Sequence, residues 1–84
     1  MIKDIAYSKQ AAQFLRRIPR NEAERIMGKI RAYADNPNDL QNNVKALRGL
    51  DLKRLRVGDW RVLFDENGKV LTVTKIGPRG DIYD

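Results

Sequence analysis

Two alternating runs flank Gly58-Asp59, and together they restrict the fold more than any other part of the chain. Leu52 to Val57 sets Leu55 and Val57 on one side and Arg54 and Arg56 on the other, because successive side chains of a strand point to opposite faces. Trp60 to Phe64 repeats the pattern, with Trp60, Val62 and Phe64 on one side and Arg61 and Leu63 on the other. Gly58-Asp59 reads as the tight turn of a hairpin. The ribbon so formed has an apolar face that must be covered and a cationic face that can stay open.

The residues upstream supply the cover. Ile2 to Tyr7 reads as a short strand and Ser8 as a helix N-cap. Between Lys9 and Arg17 a helix is expected: Ala11, Ala12, Leu15 and Ile18 recur at helical spacing, and Phe14 widens the stripe. Pro19 breaks this helix and is suited to open the next. From Arg20 to Ala34 a second apolar face is built by Ala23, Ile26, Met27, Ile30 and Ala34. Asp35-Asn36-Pro37-Asn38 stops it, Asp39 to Asn43 is a polar connection, and Lys45 to Gly49 turns into the sheet. Asn67-Gly68 marks a second hairpin, Val70 to Ile76 the last long strand, and Gly77-Pro78 its end. The expected architecture is one α+β domain over residues 1–84: an N-terminal strand, a helical hairpin, then a three-strand antiparallel meander, with the helices packed on one sheet face.

Composition narrows the chemistry. With 17 basic and 11 acidic residues the net charge is +6, which favours an anionic partner. There is no cysteine, hence no disulfide and no thiolate metal site. There is no histidine, which rules out a nuclease of the paired-histidine kind. The carboxylates show no metal-ligand spacing, no glycine-rich phosphate loop is present, and the single serine, Ser8, is used as a cap. No metal or cofactor is expected. No apolar run reaches the length of a membrane span and no signal-peptide pattern opens the chain, so a cytoplasmic location is expected.

The cationic face is the remaining lead. Arg54, Arg56 and Arg61 share it by parity, and Arg79 arrives after the next strand. Any one of them alone is more simply a surface arginine whose stem packs on the sheet. As a cluster they suit phosphate, because the planar guanidinium fork matches phosphate oxygens. Tyr83 either packs the chain end or places a hydroxyl, or a stacking platform, in a cationic site. Asp81 is a general base or, beside Arg79, a salt-bridge partner. RNA brings its own nucleophile, the 2′-hydroxyl. A protein need only align it, stabilise the charge that develops on phosphorus and move protons.

These residues resemble a known family. The stretches Leu47-Arg48-Gly49, Leu55-Arg56, Gly58-Asp59-Trp60-Arg61-Val62-Leu63-Phe64 and Val73 to Tyr83 are similar to the RelE toxins of the RelE/ParE superfamily. The resemblance implies a type II toxin that enters the ribosomal A site and cleaves mRNA by 2′-hydroxyl attack, without a metal, leaving a 2′,3′-cyclic phosphate. It implies a cognate antitoxin, the ribosome and mRNA as partners, and no membrane. It also implies catalytic roles for Arg61, Arg79 and Tyr83, the last in proton transfer or stacking. Lys53, Arg54, Arg56 and Arg48 become the RNA-binding set. Leu52 stands where some members carry a second basic residue, and Pro78 where many carry histidine or lysine. ParE-type members share the fold and poison DNA gyrase, and a toxin-like module that only binds antitoxin is a further alternative; the Arg61, Arg79 and Tyr83 set favours the nuclease branch.

Overall fold

The computed structural model describes residues 4–47 and 52–79. Its elements are β1 (Asp4–Tyr7), α1 (Lys9–Arg17), α2 (Arg20–Asp35), a 3₁₀ helix (Pro37–Asn43), β2 (Val44–Ala46), β3 (Lys53–Val57), β4 (Trp60–Asn67) and β5 (Val70–Pro78). They form an α+β fold with one five-stranded sheet in the order β1-β5-β4-β3-β2. β1 runs parallel to β5, and every other neighbouring pair is antiparallel. Among the described residues no helix is long and apolar enough to cross a membrane.

Local chemistry sets the helix boundaries. Ser8 is extended, and its Oγ accepts the Ala11 N–H at 3.1 Å, which satisfies one of the donors left over at the start of α1. Pro19 separates the helices, and its carbonyl accepts the first amides of α2, from Glu22 and Ala23. Both helices cover the same sheet face. Ala11, Ile26, Ile30, Tyr33 and Ala34 pack on Leu55, Val57, Val62, Phe64, Leu71, Val73 and Ile76. Tyr33, whose helical position extends the α2 stripe, tilts its ring onto Phe64 at 5.1 Å.

The structure differs from the sequence-based expectation in four places. The polar connection is part of a 3₁₀ helix that begins at Pro37. A fifth strand follows it: β2 pairs with the outer edge of β3, and three residues are too few to show an alternation. The N-terminal strand joins the same sheet through β5, so the antiparallel meander is the centre of a larger mixed sheet. The second turn also lies one residue later than the Asn-Gly dipeptide indicated. Asn67 pairs with Val70, and the loop is Gly68-Lys69. In both hairpins a glycine takes the first loop position with positive φ, +58° at Gly58 and +63° at Gly68, the region where a side chain is disfavoured.

One irregularity organises the sheet. The β4–β5 register slips between Leu63, opposite Lys75, and Phe64, opposite Val73, which leaves Thr74 as an extra residue. Leu71, Val73 and Ile76 are all buried under the helices. A strand of strict period two cannot face both 73 and 76 inward, so a bulge is required. Burying an isoleucine is worth about 1.5–3 kcal/mol, more than the roughly 1 kcal/mol of one interrupted ladder bond. The bulge lies where β1 ends, and side chains there take over the pairing. The Ser8 Oγ donates to Thr74 O at 2.7 Å, and Thr74 Oγ1 donates to Leu63 O at 3.1 Å. The Gln10 carboxamide donates to Ile76 O and accepts the Ile76 N–H, both at 3.1 Å. Gln10→Ala should therefore cost about 1 kcal/mol in urea denaturation and speed exchange of the Ile76 amide specifically. An unchanged Ile76 exchange rate would refute the clamp.

Candidate nucleic-acid interface

The strand registers place cations in rows across the face that the helices leave open. Lys45, Arg54, Leu63 and Lys75 form one row, and Arg56, Arg61 and Gly77 form the next. Arg56 thus sits directly opposite Arg61, on strands about 4.8 Å apart. Opposite Arg61 on its other side, Gly77 has no side chain to screen it. Arg79 follows Gly77 on the same parity, and its N–H donates to Asp59 O at 2.7 Å. The bulge decides this: without the extra residue at Thr74, Pro78 and not Arg79 would share a face with Arg61. Lys45 and Lys75 were not singled out from the sequence. Lys45 belongs to the strand that is too short to read, and Lys75 changes face at the bulge.

Arg61 differs from its neighbours. It is 8% exposed and is the one buried charged residue among the described residues. Its Nη1 donates to Gly58 O and to Trp60 O, each at 2.9 Å. The guanidinium is thereby folded onto the β3–β4 turn. Among the described residues its Nε and Nη2 have no hydrogen-bond partner. A cation held in this way presents its remaining donors in a fixed direction, which suits a planar two-point contact with an anion. Further out, Asn42, Asn43, Val44, Lys45, Arg54 and Arg56 line a shallow cavity of about 210 Å³.

Lys53 stands apart from this face. By parity with Leu55 and Val57 it lies on the helix side. Its Nζ is 2.8 Å from Glu66 Oε1, which also accepts the Tyr33 hydroxyl at 2.8 Å. The expectation that Lys53 joins the arginines thus meets a simple obstacle: odd and even positions of a regular strand face opposite ways. Arg48 and Tyr83, together with Asp81, lie outside the described residues. Among the described residues no group of three or more metal-ligating side chains is present.

The Glu66 cluster has its own titration. Burial and the hydrogen bond to Glu66 raise the Tyr33 phenol above its ordinary value of 10.0. The hydrogen bond to Glu66 raises Lys53 above its ordinary 10.5. Both shifts favour the protonated form in the folded state. Their stabilisation is complete below the unfolded-state values and is lost as pH rises through the folded ones. Stability should begin to fall near pH 10, and Tyr33→Phe should flatten the decline. Urea midpoints from pH 8 to 11 check this, and parallel curves for the two proteins would contradict it.

The profile of the ParE toxin of type II toxin-antitoxin system, parDE, matches residues 5–83. The chain therefore belongs to that family, within the RelE/ParE superfamily, and is a toxin of a type II toxin–antitoxin system. No curated protein matches the sequence at a significant level. Solved structures do. A chain of the archaeal RelE–RelB complex from Pyrococcus horikoshii superposes with a TM-score of 0.80 at 28% identity, over 98% of this chain and 100% of that one. The RelB–RelE antitoxin–toxin complex from Methanococcus jannaschii gives 0.74 at 26% identity, over 94% and 95%. The E. coli DinJ–YafQ toxin–antitoxin complex gives 0.65 at 17% identity over the full length of both chains, a likeness of fold alone.

Proposed function

We propose that this toxin cleaves RNA on the open face of its sheet, with Arg61 and Arg79 contacting the reacting phosphate. The observation that carries the reading is the Arg61 guanidinium: buried, fixed by two carbonyls, flanked by Arg56, and on the face that the bulge gives to Arg79. Donors fixed before the reaction stabilise developing charge without having to reorganise. In the proposed step the 2′-oxygen attacks the adjacent phosphorus and the bond to the 5′-oxygen breaks. A 2′,3′-cyclic phosphate and a free 5′-hydroxyl result. One proton leaves the 2′-hydroxyl and one reaches the departing oxygen. The chain has no histidine, and the resemblance to RelE toxins assigns part of this proton traffic to Tyr83. No metal takes part in the proposed step.

Arg54 and Arg56, with Arg48 by sequence, would hold flanking phosphates of mRNA or ribosomal RNA. Lys53 is left out of this surface because it pairs with Glu66 on the other side of the sheet. The similar solved chains come from RelE–RelB complexes. That likeness supports a cognate antitoxin as partner, and ribosome-bound mRNA in the cytoplasm is the target we propose from the resemblance to RelE toxins.

A second reading has one observation in its favour: the matching family profile is that of ParE. In that case the protein would inhibit DNA gyrase by binding it. The two readings separate in vitro. On mRNA-programmed ribosomes the wild type should cut, and Arg61→Ala should lower the single-turnover rate on the order of a hundredfold or more, with Arg79→Ala also impaired. Intact mRNA, together with inhibited supercoiling by purified gyrase, would establish the second reading instead.

A further inference from the structure

The turn that holds Arg61 is itself held from the opposite side of the sheet. The Trp60 Nε1–H donates to Glu22 Oε1 at 3.2 Å, and Glu22 Oε2 lies 3.8 Å from Arg25 Nη1. The Arg25 guanidinium rests against the turn so closely that a Cβ at Gly58 would meet its Nη2 at 2.8 Å and its Nη1 at 3.0 Å. Phe14 meets the Trp60 ring edge-on at 5.5 Å. The N-terminal part of α2 thus grips Gly58 and Trp60, the two residues whose carbonyls bind Arg61 Nη1. Asp59, between them, accepts the Arg79 N–H.

We infer that Glu22 and Arg25 are positioning residues for Arg61, acting through the Gly58–Trp60 turn. A role in stability alone is a poor account of them. The Arg25 side chain is 53% exposed and its ion pair is long, so the pair adds little to folding. The geometry has a direct consequence for the site. Arg61 takes its direction from two carbonyls, those carbonyls move with the Trp60 ring and the Gly58 backbone, and both are held by α2. Glu22 is the critical member because it accepts from the indole. Arg25 lies between Glu22 and Gly58, and the positive φ at position 58 favours a residue without a side chain. The inference rests on the RNA-cleavage reading for its consequence in rate, and on geometry alone for its consequence in structure.

The test compares Glu22→Ala, which removes the acceptor, with Glu22→Gln, whose carboxamide oxygen still accepts the indole proton. In wild type the Arg61 Nη1 protons should resonate apart from the averaged guanidinium signals of exposed arginines; in Glu22→Ala they should merge with them. The fluorescence of Trp60, the only tryptophan, should shift in the same variant and not in Glu22→Gln. On programmed ribosomes Glu22→Ala should lower kcat roughly tenfold to a hundredfold at unchanged KM, and Glu22→Gln should recover most of the rate. Equal loss in both variants, or wild-type Arg61 resonances in Glu22→Ala, overturns the inference. A wild type that cuts no RNA sinks the cleavage reading instead, and the Arg61 spectrum then decides the positioning role by itself.

Discussion

The bulge at Thr74 is the constraint on which the rest of the structure depends. It arises in the core, from the need to bury Leu71, Val73 and Ile76 under two helices at once. Its effect appears on the other side of the sheet. Beyond it, Lys75, Gly77 and Arg79 exchange faces with Thr74, Ile76 and Pro78, and Arg79 comes to the side of Arg61. Packing on one face thereby decides the charge on the other. The bulge is stable because Ser8 and Gln10 pair the β5 backbone that β1 no longer reaches, and the Thr74 hydroxyl donates to Leu63 O on β4.

A second constraint complements it at the opposite end of β4. The Gly58–Trp60 turn gives two carbonyls to Arg61 and one to the backbone of Arg79. The two arginines proposed for the reaction are therefore tied to one short segment, and neither depends on a long mobile loop for its place. Placing a guanidinium on rigid elements lowers the reorganisation needed when charge develops. The outer cations, Lys45, Arg54, Arg56 and Lys75, extend the positive surface across four strands. Such a surface raises the local concentration of a polyanion and steers its approach.

Much of this was legible in the residues. The alternation around Gly58-Asp59 placed Arg54, Arg56 and Arg61 opposite Leu55, Val57, Val62 and Phe64, as the core cluster has it. The stripes of α1 and α2 and the break at Pro19 were equally plain. Several of the failures depend on partners distant in the chain. Three residues of β2 become a strand only because β3 is beside them. The parallel pairing of β1 with β5 joins segments more than sixty positions apart, and no local pattern encodes it. The bulge left a trace, in the spacing of Val73 and Ile76, that only a known helix-covered face makes readable. The two carbonyls that bind Arg61 left none, since backbone groups have no signature in a sequence.

The proposed reaction is attack by a 2′-hydroxyl on a phosphate bound at the open sheet face. The most direct measurement uses two mRNAs on programmed ribosomes in the presence of EDTA, identical except for one 2′-deoxynucleotide at the cut position. The all-ribose mRNA should be cut and end in a 2′,3′-cyclic phosphate, while the substituted one should stay intact. Cleavage of the substituted mRNA at the same position would contradict it.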